Sequence, residues 1–82
     1  MAVISAEDAK ANISANIRRI LDARGMTPYT LAKMTGKPQN SIYRLVRGEN
    51  EPGAVMLAQI AEALDVSIDR LFAYPEKRKN SA

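Results

Sequence analysis

Apolar residues along this chain recur at three- and four-residue intervals. Ala9, Ile13, Ile17, Ile20 and Leu21 form one such series, running up to Arg24. That is the period of a helix with one buried face. Ser5, followed by Ala6-Glu7-Asp8, reads as a helix start with a capping hydroxyl and acids in the first turn. Two readings stand open here: one long helix, or a short lead-in followed by a second start near Ser14. A second helix is predicted over 28–35. Thr27 caps it, and Pro28 suits its first position because the missing N–H would be unpaired there anyway. Leu31 and Ala32 face inward, and Ala32 is small enough to let another helix cross closely. Gly36 supplies the positive φ that ends this helix. Pro38 restarts one, predicted over 38–47, with Ile42 and Leu45 sharing its buried face. A helix over 54–64 places Leu57, Ile60, Ala61 and Leu64 on one side, and Asp65 takes the left-handed conformation after it. Ser67 caps a last short helix with Ile68, Leu71 and Phe72 inward, and Pro75 ends it. Met26, Met34 and Met56 read as filler of a core or an interface. The expected architecture is compact and all-α, with brief loops.

Composition narrows the chemistry. Eighty-two residues make one small domain, 46% of them hydrophobic and only four of them aromatic, so the helices pack through Ile, Leu and Ala. With no Cys and no His, there is no thiolate site and no imidazole base or ligand. The acid pairs Glu7/Asp8, Glu49/Glu51 and Asp65/Asp69 are explained locally by helix starts, loops and caps. The expectation is a non-enzyme with no catalytic residues, cofactor or metal. No apolar run approaches the roughly 20 residues of a membrane helix, and the first residues lack a basic leader and apolar core. A cytoplasmic protein with no membrane association is expected. Net charge is +3, but it is unevenly placed: residues 18–47 carry +6 and residues 48–76 carry −5. Such a field can orient the chain on phosphates.

Two short helices around a glycine turn make a helix-turn-helix unit. The outward stripe of its second helix is the informative surface: Gln39, Asn40, Tyr43, Arg44 and Arg47. Amides pair bidentately with adenine in the major groove and guanidinium with guanine, whereas a plain solvent face would carry Lys and Glu. Gln39, Asn40 and Arg44 are therefore base-contact candidates. Tyr43 has two open readings, stacking on sugar or a thymine methyl, or covering the edge of the core. Thr27, Tyr29, Ser41 and Arg47 are phosphate candidates, followed by Arg18, Arg19 and Lys37; such contacts position without specifying.

Residues 16–72 resemble the lambda-repressor-like (Cro and phage-repressor) helix-turn-helix family. The resemblance rests on GMT at 25–27, LA at 31–32, TG at 35–36, Ile42, Leu45, RGE at 47–49, Pro52, LAQIAEALDVS at 57–67 and LF at 71–72. It implies five helices with the third in the DNA major groove, and often a dimer. The chain then divides into an N-terminal extension (1–12), the helix-turn-helix DNA-binding domain (13–74) and a flexible polar tail (75–82). Three departures stand out. Pro28 replaces the family's phosphate-touching Gln, although the N-terminus of that helix still offers donors. Leu21 and Val46 stand where the family pairs Arg with Glu; a whole ion pair replaced by apolar residues predicts that the two touch or lie across one small cluster. Pro38 replaces a capping Ser or Thr, leaving Ser41 as the nearest hydroxyl. The loop 48–53, which in the family follows the DNA backbone, here carries Glu49 and Glu51.

The function expected is a sequence-specific transcriptional regulator acting as a repressor on double-stranded DNA, as a homodimer on a pseudo-palindromic operator. By family analogy the last helix and the termini form the dimer surface. The alternatives are an antitoxin that binds a toxin protein and represses its own promoter, and an interaction module that has lost DNA binding.

Overall fold

Ser5 starts the first helix as its spacing predicts: its hydroxyl accepts the amide of Asp8 at 3.0 Å. The computed structural model describes residues 3–74 and contains five helices, α1 (Ala6–Ala23), α2 (Pro28–Thr35), α3 (Gln39–Val46), α4 (Ala54–Leu64) and α5 (Ile68–Phe72). There is one long α1, with no second start at Ser14. Ser14 is buried mid-helix and donates to the carbonyl of Ala11 at 3.2 Å. The tail at 75–82, including Pro75, lies outside the described residues.

Ile13, Ile17, Ile20 and Leu21 of α1 meet Leu31, Ala32, Ile42, Leu45 and Val46 of α2 and α3 and Leu57, Ile60, Ala61 and Leu64 of α4 in one core. Leu21 and Val46 are both members of this core. Met26 and Met56 pack against this core. Met34 does not; it is 51% exposed.

The turn between α2 and α3 follows from two residues. Gly36 sits at φ 70°, ψ 20°, and the next amide, Lys37, reaches back to the carbonyl of Ala32 at 3.1 Å. The second residue, Pro38, corrects the expectation of a helix starting there: at φ −61°, ψ 141° it is the extended N-cap, and α3 runs from Gln39 to Val46. The ring locks φ but leaves ψ free, so Pro38 stays outside the helix while its carbonyl accepts the amides of Ser41 and Ile42 at 3.1 and 3.4 Å.

The last helix differs most from expectation. Leu71 is fully buried, but Ile68 is 38% and Phe72 40% exposed, and Ser67 holds the N-cap position with no side-chain hydrogen bond. Ile68, Leu71 and Phe72 share one face by their spacing, but the core covers only its centre, at Leu71, and leaves the flanking side chains partly in solvent. A helix of five residues is not self-supporting. It is held by α1: Asn16 donates its amide to the carbonyls of Leu71 and Ala73 at 2.9 and 2.6 Å, and Asn12 donates to Phe72 at 3.4 Å. Two buried asparagines thus satisfy the carbonyls that a helix end leaves unpaired.

Asn16→Ala leaves the Leu71 and Ala73 carbonyls without this donor and is expected to cost about 1–3 kcal/mol, with exchange protection lost first in α5; hydrogen exchange and a denaturant melt check it. Gly36→Val is expected to lower stability by about 1–3 kcal/mol through backbone strain. Nothing lies within 4 Å of a Cβ built at Gly36, so Gly36→Ala should lose less in the same melt.

Candidate nucleic-acid interface

Of the eight residues of α3, Ile42, Leu45 and Val46 are buried, Ser41 is half-buried, and Gln39, Asn40, Tyr43 and Arg44 are exposed; Arg47, the C-cap, is exposed as well. The five outward residues expected from the spacing therefore share one accessible face. Tyr43, 37% exposed, keeps part of its ring against the protein and part free, so both of its readings survive.

The C-terminal end of α3 is braced from two directions. Arg18 of α1 donates from Nη1 to the carbonyl of Val46 at 2.9 Å, placing a cation at the negative end of the helix dipole. Gly48, at φ 75°, turns the chain, and the Glu49 amide then returns to the carbonyl of Arg44 at 2.8 Å. A Cβ at Gly48 would lie 3.3 Å from the Ser14 hydroxyl, so α1 approaches this turn closely. Farther along the loop, Asn50 reaches the carbonyl of Ser41 at 3.5 Å.

This turn delivers the Glu49 carboxylate to both arginines of the stripe. Oε2 accepts from Arg47 Nε at 2.7 Å and Oε1 from Arg47 Nη2 at 3.4 Å, while Arg44 Nε stands 3.9 Å from Oε1. The hydrogen bond from Arg47 holds the Glu49 carboxyl below its ordinary pKa, and Glu49 in turn raises that of Arg47. Sequence spacing missed this contact because Glu49 lies beyond the helix, where i, i+4 rules do not apply. The one available signal was the Arg-Gly-Glu order, since a glycine at positive φ folds the next residue back over the helix end.

The phosphate candidates are spread over α1, α2 and the two ends of α3. Thr27 caps α2, its hydroxyl accepting the amide of Thr30 at 3.2 Å. Tyr29 is exposed in the first turn of α2, with Lys33 Nζ 5.3 Å from its ring centre. Lys37 and Ser41 are half-buried around the start of α3. Arg18 is committed through one nitrogen to Val46. Arg19 falls elsewhere: with Arg24, Arg70 and Tyr74 it lines an open cavity of about 480 Å³ between α1 and the C-terminal segment.

The model of a helix-turn-helix family, HTH_3, matches residues 17–71. The chain belongs to the HTH_3 helix-turn-helix family. Proteins of this family are DNA-binding transcriptional regulators, and this chain is one of them. The HTH_3 fold is shared with a hypothetical transcription factor, NHTF, from Neisseria, at a TM-score of 0.80 and 20% identity over 92% of this chain and 86% of that one. An HTH_3 family transcriptional regulator from Vibrio cholerae matches at a TM-score of 0.77 and 25% identity, over 83% of this chain but only 38% of that longer one. The restriction-modification controller protein C.AhdI from Aeromonas hydrophila matches at a TM-score of 0.72 and 26% identity, over 83% of this chain and all of its own. No curated protein sequence matches. Among the described residues of this HTH_3 chain, no helix is long and apolar enough to cross a membrane.

The depressed pKa of Glu49 has a sign that can be tested. The ion pair is complete above the ordinary carboxylate range and is lost as pH falls through the depressed value. In Arg47→Ala the Glu49 titration midpoint should rise toward that of an ordinary glutamate, read from carboxyl carbon shifts by NMR. An unmoved midpoint would show that Arg47 is not its main partner.

Proposed function

We propose that this protein is a sequence-specific repressor that reads the major groove with α3. The observation that carries the reading is the composition of the exposed face of α3: two amides, a phenol and two guanidiniums opposite a fully apolar buried face. Gln39 and Asn40 present amides suited to adenine, and Arg44 presents a fork suited to guanine O6 and N7. Tyr43 adds a stacking surface. Thr27, Tyr29, Lys37, Ser41, Arg47 and Arg18 serve the phosphates, fixing register without reading sequence. Repression follows from occlusion, since a domain seated in the groove blocks other proteins from the same site.

A single module of this kind buries only about 600–1,000 Å² on DNA. A two-fold dimer on a pseudo-palindrome, with half-sites about 34–36 Å apart, supplies the missing specificity. The apolar surface left by Ile68, Phe72 and Tyr74, with Ile4 and Val3 also exposed, supports α5 and the N-terminus as the dimer surface. The names of the transcription factor, regulator and controller among its structural neighbours agree with the regulatory role.

Selection of bound sites from a random duplex library at about 0.15 M salt, where screening damps general attraction, tests this directly. An enriched inverted repeat about one helical turn apart is expected. On the recovered site, Arg44→Ala should cost about 1–3 kcal/mol and relax preference at one base pair. A uniform loss across sequences would make Arg44 a phosphate contact. Binding without any enrichment would turn attention to a protein partner, as an antitoxin requires.

A further inference from the structure

Of the two cations on the outward side of α3, Arg47 is hydrogen-bonded to Glu49 and Arg44 stands within ion-pair range of it before any ligand arrives. Glu49 offers two oxygens to Arg47 and one of these also faces Arg44. A DNA phosphate or a guanine edge would present the same pattern of paired acceptors to a guanidinium. We propose that Glu49 is an internal competitor for DNA, a carboxylate that occupies Arg44 and Arg47 in the free protein and has to be displaced when the α3 face meets a duplex. This rests on the reading of α3 as the DNA-facing helix.

Three observations carry it. The placement of Glu49 is built into the backbone: its amide is bound to the Arg44 carbonyl at 2.8 Å, after a glycine at φ 75° that packs on Ser14. The contact is also exchangeable, because all three side chains are about half exposed, at 48–55%, where solvent and ions compete for charged groups. Finally, the other acid of the loop does not act in the same way. Among the described residues Glu51 makes no ion pair, while Glu49 makes two. The consequence is a displacement cost. Any duplex that takes up both guanidiniums first has to release this carboxylate, so Glu49 lowers affinity for DNA wherever the contact is broken.

The experiment measures binding of the full chain to a random-sequence duplex of about 20 base pairs across a salt series. Glu49→Gln keeps the shape and removes the charge. It should bind about 3- to 10-fold tighter at about 0.1 M salt, with a salt slope steeper by about one unit, as for one further neutralised phosphate. Glu51→Gln removes the same charge from the same loop and should change affinity less than about 2-fold under the same screening. In an Arg47→Ala background, at lower salt to keep binding in range, the gain from Glu49→Gln should be at least halved. If Glu49→Gln binds no tighter than Glu51→Gln, or its gain survives loss of Arg47 undiminished, the inference is overturned. If the wild-type chain is folded yet binds no duplex, the DNA-binding reading falls and this inference with it. If the wild type binds and only the Glu49 effect is missing, this inference falls alone.

Discussion

Everything on the outer surface of α3 depends on how its inner side is buried. Ile42, Leu45 and Val46 fit into a core supplied by α1, α2 and α4, and that fit sets the rotation of the helix about its own axis. A shift of one residue turns an α-helix by about 100°. It would drive Tyr43 or Arg44 into the core and strand the apolar residues in water. The cost of either error is several kcal/mol of lost apolar burial and unpaired charge. The outward stripe of α3 is therefore oriented by hydrophobic burial rather than by any contact of its own.

The short helices are held from outside. At eight and five residues, α2, α3 and α5 are below the length at which a helix persists alone. The 18-residue α1 supplies much of what they lack. Its apolar face backs α3, its Arg18 binds the last carbonyl of α3, and its Asn12 and Asn16 bind the carbonyls around the end of α5. Hydrogen bonds to these helix ends do for short elements what additional turns do for long ones.

Electrostatics at the end of α3 serves two opposed needs. In the proposed DNA complex α3 needs its cations, yet two adjacent exposed guanidiniums repel one another. Glu49 sits between them and lowers that repulsion. The proximity of Arg47 keeps its carboxyl ionised. The arrangement arises from a glycine turn, a backbone hydrogen bond and a two-residue offset, none of which belongs to helical periodicity.

Much of this architecture was legible in the residues themselves. Helical spacing identified the buried face of α4 residue for residue and the turn at Gly36, because period 3.6 and positive φ are local properties that need no knowledge of neighbours. The outward set on α3 followed for the same reason. Expectation failed where a contact partner lay far along the chain. Whether Ile68 and Phe72 face inward depends on how many sides of a five-residue helix the core can cover, and the core is made by α1, some 50 residues earlier. The burial of Asn12 and Asn16 likewise has no local signature, since amides on a helix read as solvent-facing until the carbonyls of Leu71, Phe72 and Ala73 are brought beside them. Local sequence determined the helices, their caps and which face of each is apolar, since those follow from backbone sterics and periodicity within a few residues. Only the tertiary structure decided which polar groups those faces would enclose and which charges would meet, because such pairings are set by the packing of distant segments.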